Sequence, residues 1–509
     1  MAARFTAVLA AAWFASAAVD AAPASNKIWI TIGDSAYTQL QKLAPQAIAR
    51  SSHADGQDKV HLVQVDEAQM KQLSEAIHTE LKRCGGFMAH DSEEAGRAAL
   101  KPQIDAKMAT LLARPNYTID QQSVIPPLLS QMQASNVGQT ILDLSAHTNR
   151  YYNTNIGVTA SNWLKQKWTT LANGRSDISI TQFTHSAYPQ KSVIATINGT
   201  DNGSEVVVLG GHLDSIVGGG VGESTRAPGA DDDASGIASL TEAFRVLASS
   251  GYKPRRTIKF IGYAAEEVGL RGSQEIAQYH KNNNINVVGV MQLDMTNYKG
   301  SANDIYIYTD YTDAQQNTFL ANLATTYLPT LKIAYDKCGY GCSDHASWTA
   351  QGFWASLPFE AGFNQDNPYI HTVNDTYANT GNQADHALKF SRLALAYAVE
   401  LGSDGPGTPP GPDRTETFNG KLTQGQSAKF GPFKAGAGTF KASTTGTGDA
   451  DLFVRNGTPP TTSIYDCKSD GGTAAESCSI SVAANGDVHV LVYGYSASSY
   501  NLTVTYKPQ

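Results

Sequence analysis

The chain has 509 residues, 41% of them hydrophobic and 17% charged, and its formal net charge at pH 7 is -8. This length exceeds what one hydrophobic core usually organises, so we expect two or more domains. The net negative charge gives no reason to expect nucleic-acid binding, which needs a basic surface. It is compatible with the binding of cations.

Residues 1–22 have the pattern of a secretory signal peptide. Arg4 precedes an apolar stretch, and small residues then lead to a predicted cleavage point near Ala21 or Ala22. A membrane anchor is the alternative, but it needs roughly 20 apolar residues and a polar flank. We therefore expect a secreted, extracellular protein that has no membrane contact in its mature form.

The chain contains five cysteines, which are Cys84, Cys338, Cys342, Cys467 and Cys478. Export places them in an oxidising compartment, where neighbouring cysteines form disulfides. We predict one disulfide between Cys338 and Cys342 and another between Cys467 and Cys478, which leaves Cys84 alone.

The region after the signal peptide, residues 23–118, is polar, and its best amphipathic helix is DEAQMKQLSEAIHTELKR at residues 66–83. No cluster of chemistry-bearing residues is evident in it. Such a segment ahead of the first enzymatic motif of an exported chain predicts a pro-region that is removed after export. A small accessory domain that stays attached is the alternative.

The central region, residues 119–403, alternates between short apolar runs and helical periodicity. The runs that we predict to be buried strands are 205–211, 257–263, 287–294 and 354–360. Residues 235–250 have the periodicity of a helix, with Ser235 as a candidate N-cap. Strands that alternate with helices predict an α/β fold, in which helices cover both faces of the sheet.

Residues 404–413 (DGPGTPPGPD) form a Pro/Gly linker that neither a helix nor a central strand tolerates. Residues 414–509 are rich in Gly, Thr and Ser and contain short alternating apolar runs. This pattern predicts a small all-β sandwich as a C-terminal domain.

The predicted strands of the central region lead into residues that can bind a metal ion. In chain order these are His212 and Asp214, the triplet Asp231, Asp232 and Asp233, the pair Glu266 and Glu267, and then Asp294 and His371. Each alone has an ordinary explanation as a core histidine, a helix cap or a solvated turn. Their repetition indicates a metal site, because sites in such sheets form beyond the carboxyl ends of the strands. Histidines and carboxylates without a thiolate suit Zn²⁺ or a similar divalent ion.

The number of these residues favours two metal ions over one. Five ligands exceed a tetrahedral zinc site that keeps a position open for water, and they fit two ions that share a carboxylate. The activated water also needs a neighbouring base that is not itself a ligand. Glu266 and Glu267 are adjacent and point in different directions, so one can bind a metal while the other accepts the proton.

Six motifs of the central region resemble those of the secreted bacterial leucyl aminopeptidases of the co-catalytic dizinc exopeptidase family. They are GGHLDS, APGADDDASG, YAAEEVGLRGS, QLDMTNYKGS, CGYGCSDHASW and NPYIHT, in this order within residues 120–403. The resemblance implies a zinc-exopeptidase fold with a mixed, mostly parallel sheet, and it implies two zinc ions per chain. Zinc is preferred to cobalt or manganese on this resemblance alone, because the ligand types permit all three.

The resemblance also implies a role for each site residue. The implied ligands are His212 and Asp294 for one zinc ion, Glu267 and His371 for the other, and Asp232 as the bridge. Glu266 matches the general base, and Asp214 matches a carboxylate that orients His212. The peptide bond after the bridging aspartate is cis in the family, so a cis bond between Asp232 and Asp233 is implied.

The loop between Cys338 and Cys342 contains Tyr340, which matches a tyrosine that helps to hold the reacting carbonyl; the short disulfide would fix its position. The implied pocket for the first side chain of the substrate comprises Met295, Leu357, Phe359, Phe363 and Ile370. Asp366 and Tyr308 depart from the residue types of the close relatives. These departures leave the exact side-chain preference open.

The C-terminal region resembles the bacterial pre-peptidase C-terminal domains through DADLFVR and the Cys467–Cys478 pair. Together the resemblances imply a secreted, monomeric aminopeptidase. Its substrates would be peptides with a free N-terminus, from which it releases preferably large apolar, leucine-like residues. The alternatives are another reaction on the same fold, such as that of a carboxypeptidase or a glutaminyl cyclase, and a non-catalytic binding module.

Overall fold

The computed structural model describes residues 27–55, 58–81, 83, 86–100, 114–218, 220–403, 414–436, 438–482, 486–506 and 508. The predicted signal peptide, Cys84 and the predicted linker lie outside these residues. The described residues form two compact units, one of 27–100 with 119–403 and the other of 114–118 with 414–508. Among the described helices, none is both long enough and apolar enough to cross a membrane.

The N-terminal part of the first unit is a four-stranded antiparallel sheet with three helices. Its strands, in the spatial order β2-β3-β1-β4, are β1 Lys27–Gly33, β2 Ser51–Asp55, β3 Asp58–Asp66 and β4 Phe87–His90. Its helices are α1 Asp34–Leu43, α2 Glu67–Ala76 and α3 Glu93–Leu100. Asp66 and Gln69 form a capping box that fixes the start of α2. After α2 the chain makes one π-helical turn, Ile77–Leu81, within the segment predicted to be an amphipathic helix.

The central sheet has eight strands in the order β11-β10-β12-β9-β7-β8-β6-β5. They are β5 Ile178–Phe183, β6 Ser192–Ile197, β7 Asn202–His212, β8 Arg256–Tyr263, β9 Asn286–Gln292, β10 Ile305–Tyr308, β11 Ile333–Asp336 and β12 Ala355–Phe359. Strand β7 is parallel to β8 and β9, β9 to β12, and β10 to β11, while the other three pairs are antiparallel. The four predicted strands are β7, β8, β9 and β12, and the predicted α/β fold class is confirmed.

The helices of the central region are α4 Ile125–Leu129, α5 Ala134–Ser145, α6 Asn155–Ala172, α7 Ala234–Ser249, α8 Arg271–Asn282, α9 Ala314–Tyr327, α10 His345–Ala350 and α11 Asp385–Ser403. Helix α7 is the one predicted at 235–250, but Ser235 is not its cap. Asp233 caps it instead, accepting a hydrogen bond from the Gly236 backbone nitrogen at 2.8 Å. Ser235 already lies in the first turn, and its hydroxyl donates back to the Asp231 carbonyl at 2.7 Å.

The adjacent strands β8, β7 and β9 bring the predicted site residues to one edge of the sheet. Because these strands are parallel, their carboxyl ends lie side by side. Strand β7 ends at His212, β8 ends shortly before Glu266, and β9 ends shortly before Asp294. Helix α7 begins directly after Asp233. Four separate parts of the sequence therefore meet where such sheets bind their ligands.

The second unit is all-β, with two four-stranded antiparallel sheets in the orders β13-β20-β15-β18 and β14-β19-β16-β17. The strands are β13 Arg414–Leu422, β14 Ser427–Ala435, β15 Gly438–Thr447, β16 Ala450–Asn456, β17 Cys467–Ser469, β18 Glu476–Val482, β19 Gly486–Gly494 and β20 Ser498–Tyr506. Phe440 and Leu502 of one sheet and Val490 of the other share a buried core. The predicted Cys467–Cys478 disulfide joins β17 to β18, and thus one sheet to the other. The predicted small sandwich is confirmed.

Candidate metal centre

Asp232 lies between the two predicted histidine ligands. Its Oδ1 is 2.8 Å from His212 Nε2, and its Oδ2 is 2.8 Å from His371 Nε2. A further carboxylate approaches the same nitrogen of each histidine. Asp294 Oδ1 is 3.5 Å from His212 Nε2, and Glu267 Oε2 is 3.3 Å from His371 Nε2. The structure thus brings all five predicted ligands together, in two groups that share Asp232.

The charges at this edge of the sheet fit the implied pair of metal ions. The carboxylates gathered here are Asp214, Asp232, Glu266, Glu267 and Asp294, none of which is more than 2% exposed. Neither carboxylate oxygen of Glu266 accepts a hydrogen bond from any described residue. Buried carboxylates next to each other either bind protons or are stabilised by cations. Imidazole nitrogens and carboxylate oxygens are ligands of zinc and similar divalent ions, so the donor set matches the ions that the resemblance implies.

The orientation of His212 supports the same conclusion. Its Nδ1 lies 3.1 Å from the carbonyl oxygen of Asp214, so the ring donates there and turns Nε2 toward Asp232 and Asp294. Burial lowers the pKa of His212, but the carboxylates of Asp294, Asp214 and Asp232 outweigh burial and raise the pKa well above its ordinary value. The position at Nε2 therefore attracts positive charge, which a proton or a metal cation can supply.

Asp214 also holds the turn that contains the paired glutamates. After β8 the chain passes through Ala265, whose φ of +56° lies in the left-handed region. The backbone nitrogens of Glu266 and Glu267 then donate to the two oxygens of the Asp214 carboxylate at 3.0 and 3.2 Å. With both backbone groups fixed, the Glu267 side chain faces His371, whereas Glu266 belongs to none of the candidate ligand groups among the described residues. Burial, with the nearby carboxylates of Asp294 and Glu267, raises the pKa of Glu266 well above its ordinary value.

The outer members of the aspartate triplet are committed to backbone hydrogen bonds. Asp231 accepts from the Asn297 backbone nitrogen at 3.0 Å. The two oxygens of Asp233 accept from the backbone nitrogens of Met295 at 3.1 Å and of His212 at 2.9 Å. The peptide bond between Asp232 and Asp233 is cis, as the resemblance implied. The triplet thus places the Asp232 carboxylate between the two histidines. Asp233 forms a further candidate metal-binding group with His212 and Asp294, although both of its oxygens also accept backbone hydrogen bonds.

Two supporting residues were missed by the sequence reasoning. Asp375 accepts hydrogen bonds from the backbone nitrogens of Asp231 and Asp232, both at 3.1 Å, and so fixes the bridging residue. Ser343 donates to Asp294 Oδ2 at 2.6 Å. The only sequence signal for either is its position, since Asp375 follows His371 closely and Ser343 directly follows the second cysteine of the Cys-Gly-Tyr-Gly-Cys loop.

The Cys338–Cys342 disulfide is present, and its loop presents Tyr340 to a cavity next to the metal centre. The cavity wall includes Tyr308, Tyr340, Leu357, Phe359, Phe363 and Asp366. Three of the five predicted pocket residues therefore line it. Met295 and Ile370 lie outside this wall and are almost completely buried, beside the predicted ligands Asp294 and His371 in the sequence.

His78, from the N-terminal segment, lies inside the metal centre. Its Nε2 is 3.5 Å from Glu267 Oε2, and its ring centroid is 3.9 Å from that of His371. These three residues form one of the candidate metal-binding groups. Residues 23–118 have no cluster of their own in this group, but they contribute one side chain to it. A single histidine in an amphipathic helix gives no signal of its own, because its partners lie far along the chain.

Known proteins match both units of the chain. Residues 192–397 match the profile of Peptidase family M28, and residues 433–494 match that of the bacterial pre-peptidase C-terminal domain. The leucine aminopeptidase 1 of Coccidioides posadasii is 34% identical over 297 residues, which are 56% of this chain and 75% of that protein. The leucine aminopeptidase 1 of Fusarium vanettenii is 31% identical over 360 residues, 68% of this chain and 88% of that protein.

Solved structures from Legionella pneumophila are also similar. The LapA aminopeptidase superposes with a TM-score of 0.61 at 31% identity, covering 75% of this chain and 100% of LapA. LapB superposes with a TM-score of 0.60 at 32% identity, covering 74% of this chain and 99% of LapB.

Proposed function

The chain belongs to peptidase family M28 and is a peptide hydrolase, and we propose that it is a secreted aminopeptidase that uses two zinc ions. Its substrates would be peptides with a free N-terminus, from which it releases preferably large apolar, leucine-like residues. The observation that carries this proposal is the position of the Asp232 carboxylate between His212 and His371, with Asp294 next to the same nitrogen of His212 and Glu267 next to the same nitrogen of His371. The names of the similar proteins support the aminopeptidase activity.

Each residue of the site has a chemical task in this proposal. His212, Asp232, Asp294, Glu267 and His371 would hold the zinc ions, which would acidify a water molecule and polarise the carbonyl of the first peptide bond. Glu266, which is buried and outside the ligand groups, accepts the proton of the attacking water and passes it to the leaving amine. The Tyr340 hydroxyl donates to the developing oxyanion. Asp214 keeps His212 and the two glutamates in place.

The substrate is selected at two places. Carboxylates at the metal centre attract the free α-amine of the peptide, which restricts the reaction to the chain end. The cavity lined by Leu357, Phe359 and Phe363 takes the first side chain, and its apolar wall favours large apolar groups.

Paired substrates test this proposal. We expect the enzyme to hydrolyse a leucyl anilide and to leave its N-acetylated form intact, because acetylation removes the α-amine. Dialysis against a chelator should abolish the activity, and zinc, cobalt and manganese should be added back separately. Equal cleavage of both anilides contradicts an aminopeptidase and favours another reaction on this fold. Well under one metal ion per chain together with no hydrolysis favours a binding module.

The processing steps belong to the same proposal. We propose a signal peptide at 1–22, a pro-region at 23–118, a peptidase domain at 119–403, a linker at 404–413 and a pre-peptidase domain at 414–509 of a monomeric secreted protein. Determining the N-terminal residue of the protein recovered from culture medium tests the first two limits. A start well inside the peptidase domain contradicts them.

A further inference from the structure

His78 is held in the metal centre by contacts on both sides of its ring. It lies in the π-helical turn Ile77–Leu81 and is 1% exposed. Its Nε2 points at Glu267, at 3.5 Å from Oε2, and its ring lies against that of His371. Nε2 makes no hydrogen bond with any described residue. A histidine with only a structural role usually has both ring nitrogens satisfied when it is buried, and this one does not.

The proton on the His78 ring can be assigned from its neighbour Ser74. The Ser74 hydroxyl lies 3.1 Å from the carbonyl oxygen of Glu267, which can only accept, so the hydroxyl proton is used there. At 3.4 Å from His78 Nδ1 the same hydroxyl oxygen must then accept, which places the ring proton on Nδ1. The Nε2 atom therefore presents a lone pair to a carboxylate oxygen. Two lone pairs that face each other in a buried site repel, and a cation between them removes the repulsion.

We infer that His78 is a ligand of the metal ion that Glu267 and His371 hold, and that it keeps the chain latent while the N-terminal segment remains attached. The inference rests on the proposed dizinc function. With Asp232 as the bridge, this ion would have four protein ligands, which is the closed set of a structural zinc site. A catalytic site needs one position free for water or substrate, and His78 would occupy that position. The Nδ1–H···Ser74 contact is the outer hydrogen bond that metal-bound histidines usually make.

A second residue of the same segment covers the substrate cavity. The Arg83 guanidinium lies 4.8 Å from the ring centroid of Phe363 and 5.9 Å from that of Tyr340, and Arg83 is part of the cavity wall. It also donates to Ser35 at 2.6 Å, which ties it to the N-terminal helix α1. The segment thus reaches the metal through His78 and the side-chain cavity through Arg83. A peptide substrate would have to displace both contacts in order to bind.

The test compares the full-length precursor with its His78→Ala variant, and the probe is Co²⁺ titrated into metal-free protein. We expect two ions to bind to the unaltered precursor. In the variant we expect one ion to bind at least about tenfold more weakly, since even the loss of an outer contact to a metal ligand typically lowers affinity 10–100-fold. The visible absorption of that ion should change while that of the other ion stays the same. Added imidazole should restore the original spectrum.

Activity gives an independent reading at saturating metal. The His78→Ala precursor should cleave leucyl anilide at least about tenfold faster than the unaltered precursor, because one metal position is opened. His53→Ala, a histidine of the same segment on strand β2, is the matched control and should change neither reading. If His78→Ala unfolds, as thermal melting would reveal, His78→Gln is measured in the same way.

The outcomes separate this inference from the proposed function. Identical cobalt isotherms and spectra for the unaltered and His78 variants overturn the role of His78 as a ligand. A faster variant with unchanged spectra also overturns it, since the latency would then come from steric cover alone. If the unaltered precursor binds no second ion, the dizinc proposal itself fails.

Discussion

Replacing Glu266 by Gln separates the two adjacent glutamates most directly. The substitution keeps the size and shape of the side chain and removes its ability to accept a proton. Glu266 is completely buried, its backbone nitrogen is bound to Asp214, and it belongs to none of the candidate ligand groups in the described part of the chain. We therefore expect Glu266→Gln to retain two metal ions and the affinity for substrate, while the chemical step slows.

The size of this effect follows from the proposed role. A positioned general base typically accelerates a reaction 10²–10⁴-fold, which corresponds to about 3–5 kcal/mol of barrier at about 1.36 kcal/mol per tenfold. We expect kcat for leucyl anilide to fall by about three orders of magnitude and KM to change by less than about fivefold. In the metal-free protein, burial raises the pKa of Glu266 and its oxygens accept no hydrogen bond from the described residues, so its ionised form destabilises the fold. The neutral amide should therefore leave the melting temperature of the metal-free protein unchanged or raise it.

Glu267→Gln is the matched control. The same change of one atom now affects a side chain that lies 3.3 Å from His371 Nε2. We expect this variant to lose one of the two metal ions during dialysis, as counted by elemental analysis, and to recover part of its activity when metal is added. The reasoning is refuted if both variants lose metal equally, or if Glu266→Gln keeps a rate within tenfold of the unaltered enzyme.

Three further predictions concern residues around the centre. Asp214→Asn should lower metal affinity about 10–100-fold in a chelator competition, because it weakens the contacts to His212 and to the glutamate turn; unchanged affinity contradicts this. Burial raises the pKa of Asp366 to about 6, so this cavity carboxyl gains its charge as the pH rises through about 6. The kcat/KM ratio of arginyl to leucyl anilide should then rise between pH 5 and pH 8, and Asp366→Asn should flatten the rise. Cys342→Ser should lower kcat, because the loop that carries Tyr340 loses its disulfide, and it should leave the metal content unchanged. A loss of metal would contradict the view that the disulfide acts only through Tyr340.

The parts of the fold that sequence could predict are those with local signals. The runs at 205–211 and 257–263 are bounded, apolar and β-branched, and they became β7 and β8. The proposed ligands at their ends could be predicted because a parallel sheet gathers its strand ends at one edge. The cap of α7 was misassigned by two residues, since both Asp233 and Ser235 are good caps and the hydrogen bonds of the whole turn decide between them.

The parts that sequence could not predict depend on contacts between distant residues. Asp375 binds the backbone of Asp231 across 144 positions, and Ser74 binds that of Glu267 across 193. Neither spacing follows from a pattern, because a single serine or aspartate in a loop or helix has many ordinary uses. His78 is the clearest case, since its own segment places it on a helix whose other buried residues are apolar or small. The chemical role of His78 is visible only in the structure, where this segment lies next to Glu267 and His371.

The different directions of the Glu266 and Glu267 side chains have a specific structural cause. A pair of neighbouring carboxylates would repel and turn away from each other in solution, with no preferred direction. Here one buried carboxylate, that of Asp214, accepts the backbone nitrogens of both, so the direction of each side chain is set by the backbone and not by their mutual repulsion. The same Asp214 residue contacts His212. Asp214 therefore aligns the proposed base Glu266 and one proposed ligand of each proposed metal ion. The proposed division of labour between the two glutamates depends on Asp214 as much as on the glutamates themselves.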